Sequence, residues 1–124
     1  MRTGVEIGKE AETRGIEYLR KHGYKILDTN YSTPFGEIDI IAGNKKDIVF
    51  VEVKFRSSRD FGNPEEFVSK EKQLKIVKTA IHYLKAKRLT QENVRFDILS
   101  IGPEVTRFEL IESAFESPSF YKYM

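Results

Sequence analysis

The sequence predicts an α/β fold, in which a mixed central sheet of about five strands is flanked by helices in the order α-β-β-β-α-β-β. Two segments repeat apolar residues at helical spacing, and five shorter segments are rich in Ile, Val and Phe. Apart from two glycines within the first helical segment, glycine and proline fall between these segments or at their ends, as in turns. A chain of 124 residues is long enough for one core but too short for two, so residues 1–124 are predicted to form a single domain.

The first helix is predicted over residues 5–22, with charged residues at steps of three and four on its outer face. Glu12 falls instead on the packed face, where Gly8 and Gly15 are predicted to let the helix approach the sheet closely. A carboxylate turned toward a core needs a partner or a cation. The packed stripe comprises Gly8, Ala11, Gly15, Leu19 and His22.

The second and third predicted strands form a hairpin that carries acidic and basic residues among its apolar ones. A four-residue loop over residues 44–47 sets the antiparallel register of the two strands that it joins. In that register Asp39 faces Glu52 and Glu37 faces Lys54. Because opposed like charges destabilise a sheet, something should compensate the two acids. The strands are predicted over residues 23–31, 36–43, 48–56, 94–102 and 105–111.

The two faces of this hairpin are predicted to differ. One is wholly apolar, whereas the other is apolar near the loop and ionic at its far end, as at the rim of a cleft. The apolar face is predicted to hold Ile38, Ile40, Ala42, Val49, Val51, Val53 and Phe55.

A second helix is predicted over residues 66–89. Gln73 shares its inner stripe, and seven basic residues between positions 70 and 88 stand against one acid. Charge alone makes this more typical of a solvated helix face than of a nucleic-acid surface. The inner stripe comprises Leu74, Val77, Ile81 and Leu84. An aromatic tail of Phe115, Phe120, Tyr121 and Tyr123 is expected to pack on the core, with a second copy of the chain as the alternative.

Composition excludes several classes of site. The absence of cysteine removes disulfides, thiolate zinc sites and cysteine nucleophiles, and the two histidines lack metal-ligand spacing. No apolar run is long enough for a membrane span and the first residues do not resemble a signal peptide, so a cytoplasmic location without membrane contact is expected. The net charge of +2 does not by itself identify a polyanionic partner.

Two interpretations of the ionic face stay open from the residues alone. It could be a solvated sheet face with salt bridges from Glu37 to Lys54 and from Glu52 to Arg56 or Lys54, as many sheets have. Alternatively, a divalent cation could lie between Asp39 and Glu52, because Mg²⁺ is often held by one or two carboxylates with waters and phosphate oxygens. The opposed acids, the inward Glu12 and the placement of Lys54 favour the cation.

The pattern of Asp39 followed by Glu52-Val53-Lys54 resembles the signature of the PD-(D/E)xK nucleases, although "EID" lacks the proline of that signature. Their core is a restriction-endonuclease-like α-β-β-β-α-β unit. The chain from Gly8 to Phe115 also resembles the YraN-like family of small bacterial endonuclease-like proteins, through "G…E…YL", "GEIDIIA", "VFVEVKFR", "FG", "K…Q", "RFD" and a terminal "AF". That family's core is similar to archaeal Holliday-junction resolvases.

This resemblance implies a site and an activity. The catalytic residues would be Glu12, Asp39, Glu52, Lys54 and Gln73. Mg²⁺ or Mn²⁺ would be bound by Asp39, Glu52 and the Val53 carbonyl, with Glu12 acting through a second ion or a water. Contacts with the nucleic-acid backbone are expected from Arg56, Arg59, Lys70, Lys72 and Lys75.

The expected function is a metal-dependent nuclease that hydrolyses phosphodiester bonds in nucleic acid, with DNA the expected substrate. Because nothing in the sequence resembles a base-reading motif, little sequence specificity and recognition of a branched or flapped shape are expected. Two alternatives stay open. The first is a non-catalytic nucleic-acid-binding module on the same fold, and the second is a structural or adaptor protein whose ionic face is merely solvated. Analogy with the resolvases, which act as dimers, adds a homodimer as an expected partner.

Overall fold

The computed structural model describes residues 3–56, 68–102 and 107–116. Its elements follow the predicted order α-β-β-β-α-β-β, with bounds that differ from the predicted ones by up to four residues. They are α1 (Gly4–Lys21), β1 (Lys25–Thr33), β2 (Gly36–Gly43), β3 (Asp47–Phe55), α2 (Lys70–Ala86), β4 (Asn93–Ile101) and β5 (Phe108–Ile111).

The five strands form one mixed sheet in the order β1-β2-β3-β4-β5. Neighbouring strands are antiparallel except β3 and β4, which are parallel. A parallel pair needs a crossover, and α2 provides it. The predicted fold class is therefore confirmed, and the arrangement is consistent with a restriction-endonuclease-like core.

The core lies on both faces of the sheet. Ala11 and Leu19 of α1 pack with Ile40, Val51 and other residues on one face. The helix α2 covers the other face, where its apolar residues pack against strand residues. That second cluster includes Ile41, Phe50, Ile76, Val77, Ala80, Ile81, Leu84 and Ile98.

The register of the β2–β3 hairpin is as predicted from Gly43–Ile48 to Ile40–Val51, where the paired ladder ends. Asp39 and Glu52 are therefore not ladder partners, and that detail of the prediction was wrong. The physical reason is a side-chain bond, because the Oδ2 atom of Asp39 accepts the backbone N–H of Val53 at 2.8 Å. A carboxylate thus takes the place of a ladder bond where the strands stop pairing.

The predicted apolar face needs two corrections. Ile38 belongs to the core cluster with Ile41 and not to that of Ile40, and Phe55 at the end of β3 is exposed and belongs to neither cluster. Regular alternation is lost next to Asp39, where the ladder to β3 ends. The backbone of Asn30, between the β1 residues that pair with Ile40 and Ile38, also has a left-handed φ of 50°. Both irregularities lie at one corner of the sheet, next to Asp39.

Three residues of the predicted inner stripes are exposed, namely Gly8 and His22 of the first stripe and Leu74 of the second. Gly8 is exposed, and a Cβ there would meet no atom within 4 Å, because the start of α1 is not packed on the sheet. Only Gly15 mediates the close approach, since a Cβ there would lie 2.9 Å from Cδ2 of Leu99. On α2, Leu74 is 40% exposed, and Ile76 and Tyr83 are buried in addition to the rest of the predicted stripe.

The chain after β5 packs back on the core as expected. The rings of Phe115 and Phe96 stack at 5.2 Å, and the backbone N–H of Ser113 donates to Asp97 at 2.9 Å. Arg95 forms an ion pair with the fully buried Asp97 at 2.8 Å, which gives the predicted "RFD" motif a structural role. The remaining aromatic residues of the tail, Phe120, Tyr121 and Tyr123, lie outside the described residues. Neither helix in the described part of the chain is long and apolar enough to cross a membrane.

Candidate active site

A cleft of about 560 Å³ opens where β2 and β3 stop pairing, beside the first turns of α2. Its position agrees with the cleft rim predicted from the ionic end of the hairpin. It is lined by Gly36, Glu37, Asp39, Glu52, Ser69, Glu71, Lys72, Lys75 and Ile76.

The surroundings of Asp39 in this cleft disfavour its ionised form. Burial, followed by the negative charge of Glu52, raises the pKa of Asp39 to about 6 from an ordinary value of 3.8. The hydrogen bond from Val53 and the charge of Lys72 lower that pKa, and Glu12 raises it further. The two acids predicted to be neighbours therefore do interact through their charges, although they are not ladder partners.

Lys72 neutralises the second acid. Glu52 is only 8% exposed, and the Nζ atom of Lys72 donates to its Oε1 atom at 2.8 Å. Burial lowers the pKa of Lys72, but the hydrogen bond and charge of Glu52, together with the contributions of Lys54 and Asp39, raise it overall. The helix α2 thus supplies a positive charge for one of the two acids, and Ser69, which caps this helix, accepts the backbone N–H of Lys72 at 3.1 Å.

Lys54 belongs to the same electrostatic cluster, although it is not among the residues that line the cleft. Burial, followed by the charge of Lys72, lowers the pKa of Lys54, while Glu52 and Asp39 oppose that change. Two lysines and two acids therefore influence one another at the end of β3. This grouping matches the predicted placement of Lys54 beside Glu52.

Glu12 approaches from α1, as its inward position predicted. Its Oε1 atom accepts a hydrogen bond of 2.7 Å from Nδ2 of Asn30, and its charge contributes to the raised pKa of Asp39. Asn30 was not among the predicted site residues. A signal existed in part, because asparagine tolerates a left-handed backbone better than most residues, but the sequence does not show that β1 bends there.

Two predicted residues are differently engaged. Gln73 donates its Nε2 hydrogen to the backbone oxygen of Val68 at 2.9 Å, so its described bond anchors the start of α2 and does not reach the acids. Arg56 is only 7% exposed, and this burial does not suit the expected contact with a nucleic-acid backbone.

The other basic residues expected to contact a nucleic-acid backbone differ in exposure and in their partners. Lys70 and Lys75 are exposed, and Lys75 lines the cleft while pairing with Glu71 at 3.6 Å. Lys72 is engaged by Glu52. Arg59 lies outside the described residues.

The carboxylate oxygens of the cleft are suitable ligands for a hard divalent cation, but they are few. Within residues 3–56, 68–102 and 107–116, no three His, Asp or Glu side chains form a metal-binding group. Asp39 and Glu52 are a pair, which is the number of carboxylates that commonly holds Mg²⁺ with waters and phosphate. Their described bonds engage Oδ2 of Asp39 and Oε1 of Glu52, which leaves one carboxylate oxygen of each residue outside those bonds. Mg²⁺ or Mn²⁺ therefore fits the pair in charge and donor type, in competition with the ammonium group of Lys72.

Comparison with known proteins places this site within a family. The model of the Uncharacterised protein family UPF0102 matches residues 11–101, which include Glu12, Asp39, Glu52 and Lys54. A UPF0102 protein of Syntrophus aciditrophicus is 46% identical over 118 residues, covering 94% of this chain and 93% of its own length. A second, from Persephonella marina, is 49% identical over 94 residues, covering 76% and 81%. The chain therefore belongs to the uncharacterised family UPF0102, the YraN-like family that its motifs resemble.

Proposed function

We propose that this protein is a metal-dependent nuclease that hydrolyses phosphodiester bonds in nucleic acid, with DNA as the substrate. The observation that carries the proposal is the grouping of Asp39 and Glu52 beside Lys54 and Lys72 at an open cleft. Acids whose charges oppose each other, set beside lysines with shifted pKa values, are typical of functional sites. The same residues also supply the Asp and the Glu-x-Lys of the PD-(D/E)xK signature, which the sequence resembles except for its proline.

In this proposal Asp39, Glu52 and the Val53 carbonyl would hold Mg²⁺ or Mn²⁺, and Glu12 would hold a second ion or orient a water. A divalent ion bound there would lower the pKa of a water molecule and neutralise charge on a phosphoryl oxygen. Lys54 places its positive charge beside Glu52 and stabilises the negative charge that develops on the phosphate. Once the phosphate enters, Lys72 has a second anionic partner besides Glu52.

The exposed lysines at the start of α2 position the nucleic acid. Lys75 lines the cleft and Lys70 lies at the first residue of the helix, so both can contact phosphates without reading sequence. Net charge is only +2, so attraction must come from this local surface and not from the whole molecule.

A cleavage panel tests the proposal. Linear duplex, single-stranded, flapped and four-way-junction DNA are incubated with Mn²⁺ or Mg²⁺ and either the wild-type protein or Lys54→Ala. The matched control is Lys46→Ala, an exposed lysine in the loop at the opposite end of β3. Cleavage that Lys54→Ala abolishes and Lys46→Ala retains supports the proposal. Cleavage that survives Lys54→Ala points to a contaminating nuclease, and no cleavage of any substrate contradicts the proposal.

A second candidate function is a non-catalytic nucleic-acid-binding module. It is favoured by the ion pair of Lys72 with Glu52, which already compensates one of the two acids without a metal. Isothermal titration of Mn²⁺ into the wild-type protein and Asp39→Asn separates the two functions. Metal binding that Asp39→Asn removes supports the nuclease, whereas DNA binding without any metal binding supports the module.

A further inference from the structure

Phe35 is a large apolar side chain that the fold leaves in solvent beside the candidate site. It is 48% exposed, more than Phe55 at 36%, and it lies in the turn between β1 and β2. Its backbone N–H donates to Oγ1 of Thr33 at 3.1 Å, which fixes the turn that presents the ring. An exposed aromatic ring on an ordered turn has no role in the core of this fold.

The surroundings of the ring are basic and adjoin the cleft. The Nζ atom of Lys78 lies 5.9 Å from the ring centroid, and the next residue, Gly36, lines the cleft that holds Asp39. Gly36 also packs against Lys75, since a Cβ on this glycine would lie 3.5 Å from Cβ of Lys75. The ring of Phe35 therefore lies beside Lys78, and the residue that follows it, Gly36, lies beside Lys75 at the cleft.

We propose that Phe35 is a stacking platform for an unpaired base, so that the nucleic acid bound in the cleft is single-stranded beside the phosphate that is cleaved. This inference rests on the proposed function. Every base has a π face, so stacking on an aromatic ring binds single strands without reading their sequence. Lys75 and Lys78 lie where they can contact the phosphates that flank such a base.

A fully paired duplex fits this surface less well. Its bases are stacked on one another, so none can reach the ring unless it is first unstacked. A single strand, a flap or the branch point of a junction offers an unpaired base at once. The platform thus gives a physical basis for recognising shape in a protein that has no base-reading motif.

Charge disfavours a second copy of the chain as the occupant. In a symmetric dimer formed by this patch, Lys75 and Lys78 of each copy would approach the same residues of the partner. Such an arrangement brings like charges together around an apolar contact, whereas a polyanion neutralises them.

The absence of tryptophan from the chain permits a direct test. Phe35→Trp introduces a lone indole, and Leu27→Trp is the matched control, because Leu27 is 38% exposed and lines a different cleft near the β2–β3 loop. Each variant is titrated at low salt with a single-stranded oligothymidylate or a blunt duplex of equal length, in EDTA to prevent cleavage. We expect the single strand to quench Phe35→Trp and not Leu27→Trp, and the duplex to quench neither. Phe35→Ala should bind the single strand about fivefold to a hundredfold more weakly than the wild-type protein.

The outcomes distinguish this inference from the function on which it rests. Wild-type binding that Phe35→Ala leaves unchanged, with no quenching of Phe35→Trp, overturns the platform and leaves the nuclease intact. Failure of the wild-type protein to bind either oligonucleotide overturns both. A dimer seen by sedimentation for the wild-type protein and lost in Phe35→Ala would overturn the platform in favour of a second copy. Thermal unfolding of each variant controls for folding, because an exposed substitution should change stability little.

Discussion

The ionised side chain of Asp39 lowers the stability of the folded protein. Its pKa of about 6 exceeds the ordinary 3.8, so the folded state binds the proton more tightly than the unfolded chain does. The free energy of unfolding should therefore fall as pH rises from about 4 to about 6, and stay lower above that window, by about 3 kcal/mol at most. A carboxylate retained at this cost is typical of a functional site.

Asp39→Asn should for this reason stabilise the metal-free protein near neutral pH. The amide carries no charge, and its oxygen can still accept the N–H of Val53. We expect a gain of about 1 to 2 kcal/mol at about pH 7.5 and almost none at about pH 4, where Asp39 is already protonated in the folded protein. Urea unfolding in EDTA at the two pH values measures the difference. An equal effect at both pH values would contradict the electrostatic account.

Lys72 is the residue whose role differs most from the expected one, because it neutralises Glu52 instead of awaiting a phosphate. Lys72→Met should destabilise the metal-free protein by about 1 kcal/mol, a modest figure since the side chain of Lys72 is 41% exposed. It should also bind Mn²⁺ more tightly than the wild-type protein, because the ammonium group no longer competes for Glu52. Calorimetric titration measures the affinity.

The control for that experiment is Lys75→Met, which removes a lysine of the same helix whose partner, Glu71, is itself exposed. Its stability and Mn²⁺ affinity should stay close to those of the wild-type protein. If both lysine variants gained affinity equally, general charge and not competition at Glu52 would be the cause.

At the scale of elements, the packing of α1 on the sheet depends on Gly15. Gly15→Ala places a methyl group 2.9 Å from Cδ2 of the buried Leu99, so it should destabilise the protein by about 1 to 3 kcal/mol. Gly8→Ala is the matched control, because its Cβ meets open space and alanine favours the helix by up to about 1 kcal/mol. Thermal or urea unfolding should therefore move in opposite directions for the two variants, and the same sign for both would refute the close-packing argument.

This pair of glycines also marks what the sequence can predict. Periodicity identified α1, the hairpin and its register near the loop, because those features depend on neighbours in the chain. Periodicity did not show that Gly15 packs on the sheet and Gly8 does not, because both lie on one helix stripe. The difference depends on how far the sheet extends beneath the helix. The pairing of Glu52 with Lys72 was missed for a similar reason, because that contact depends on how α2 crosses over the sheet. Ile38 and Asn30 were missed because the strand irregularity has no periodic signal.

At the scale of the whole molecule, the proposed binding surface is a local basic patch on a chain of small net charge. Binding of a single-stranded oligonucleotide should therefore weaken as salt rises, with a slope set by the few lysines that contact phosphates. Lys75→Ala should reduce that slope by about one contact and weaken binding equally for oligonucleotides of different sequence. Anisotropy titrations across a range of salt concentrations measure it, with Lys46→Ala, at the opposite end of β3, as the unchanged control. An equal loss of slope in both variants would mean that the whole surface attracts the strand, and that the cleft has no special part in binding.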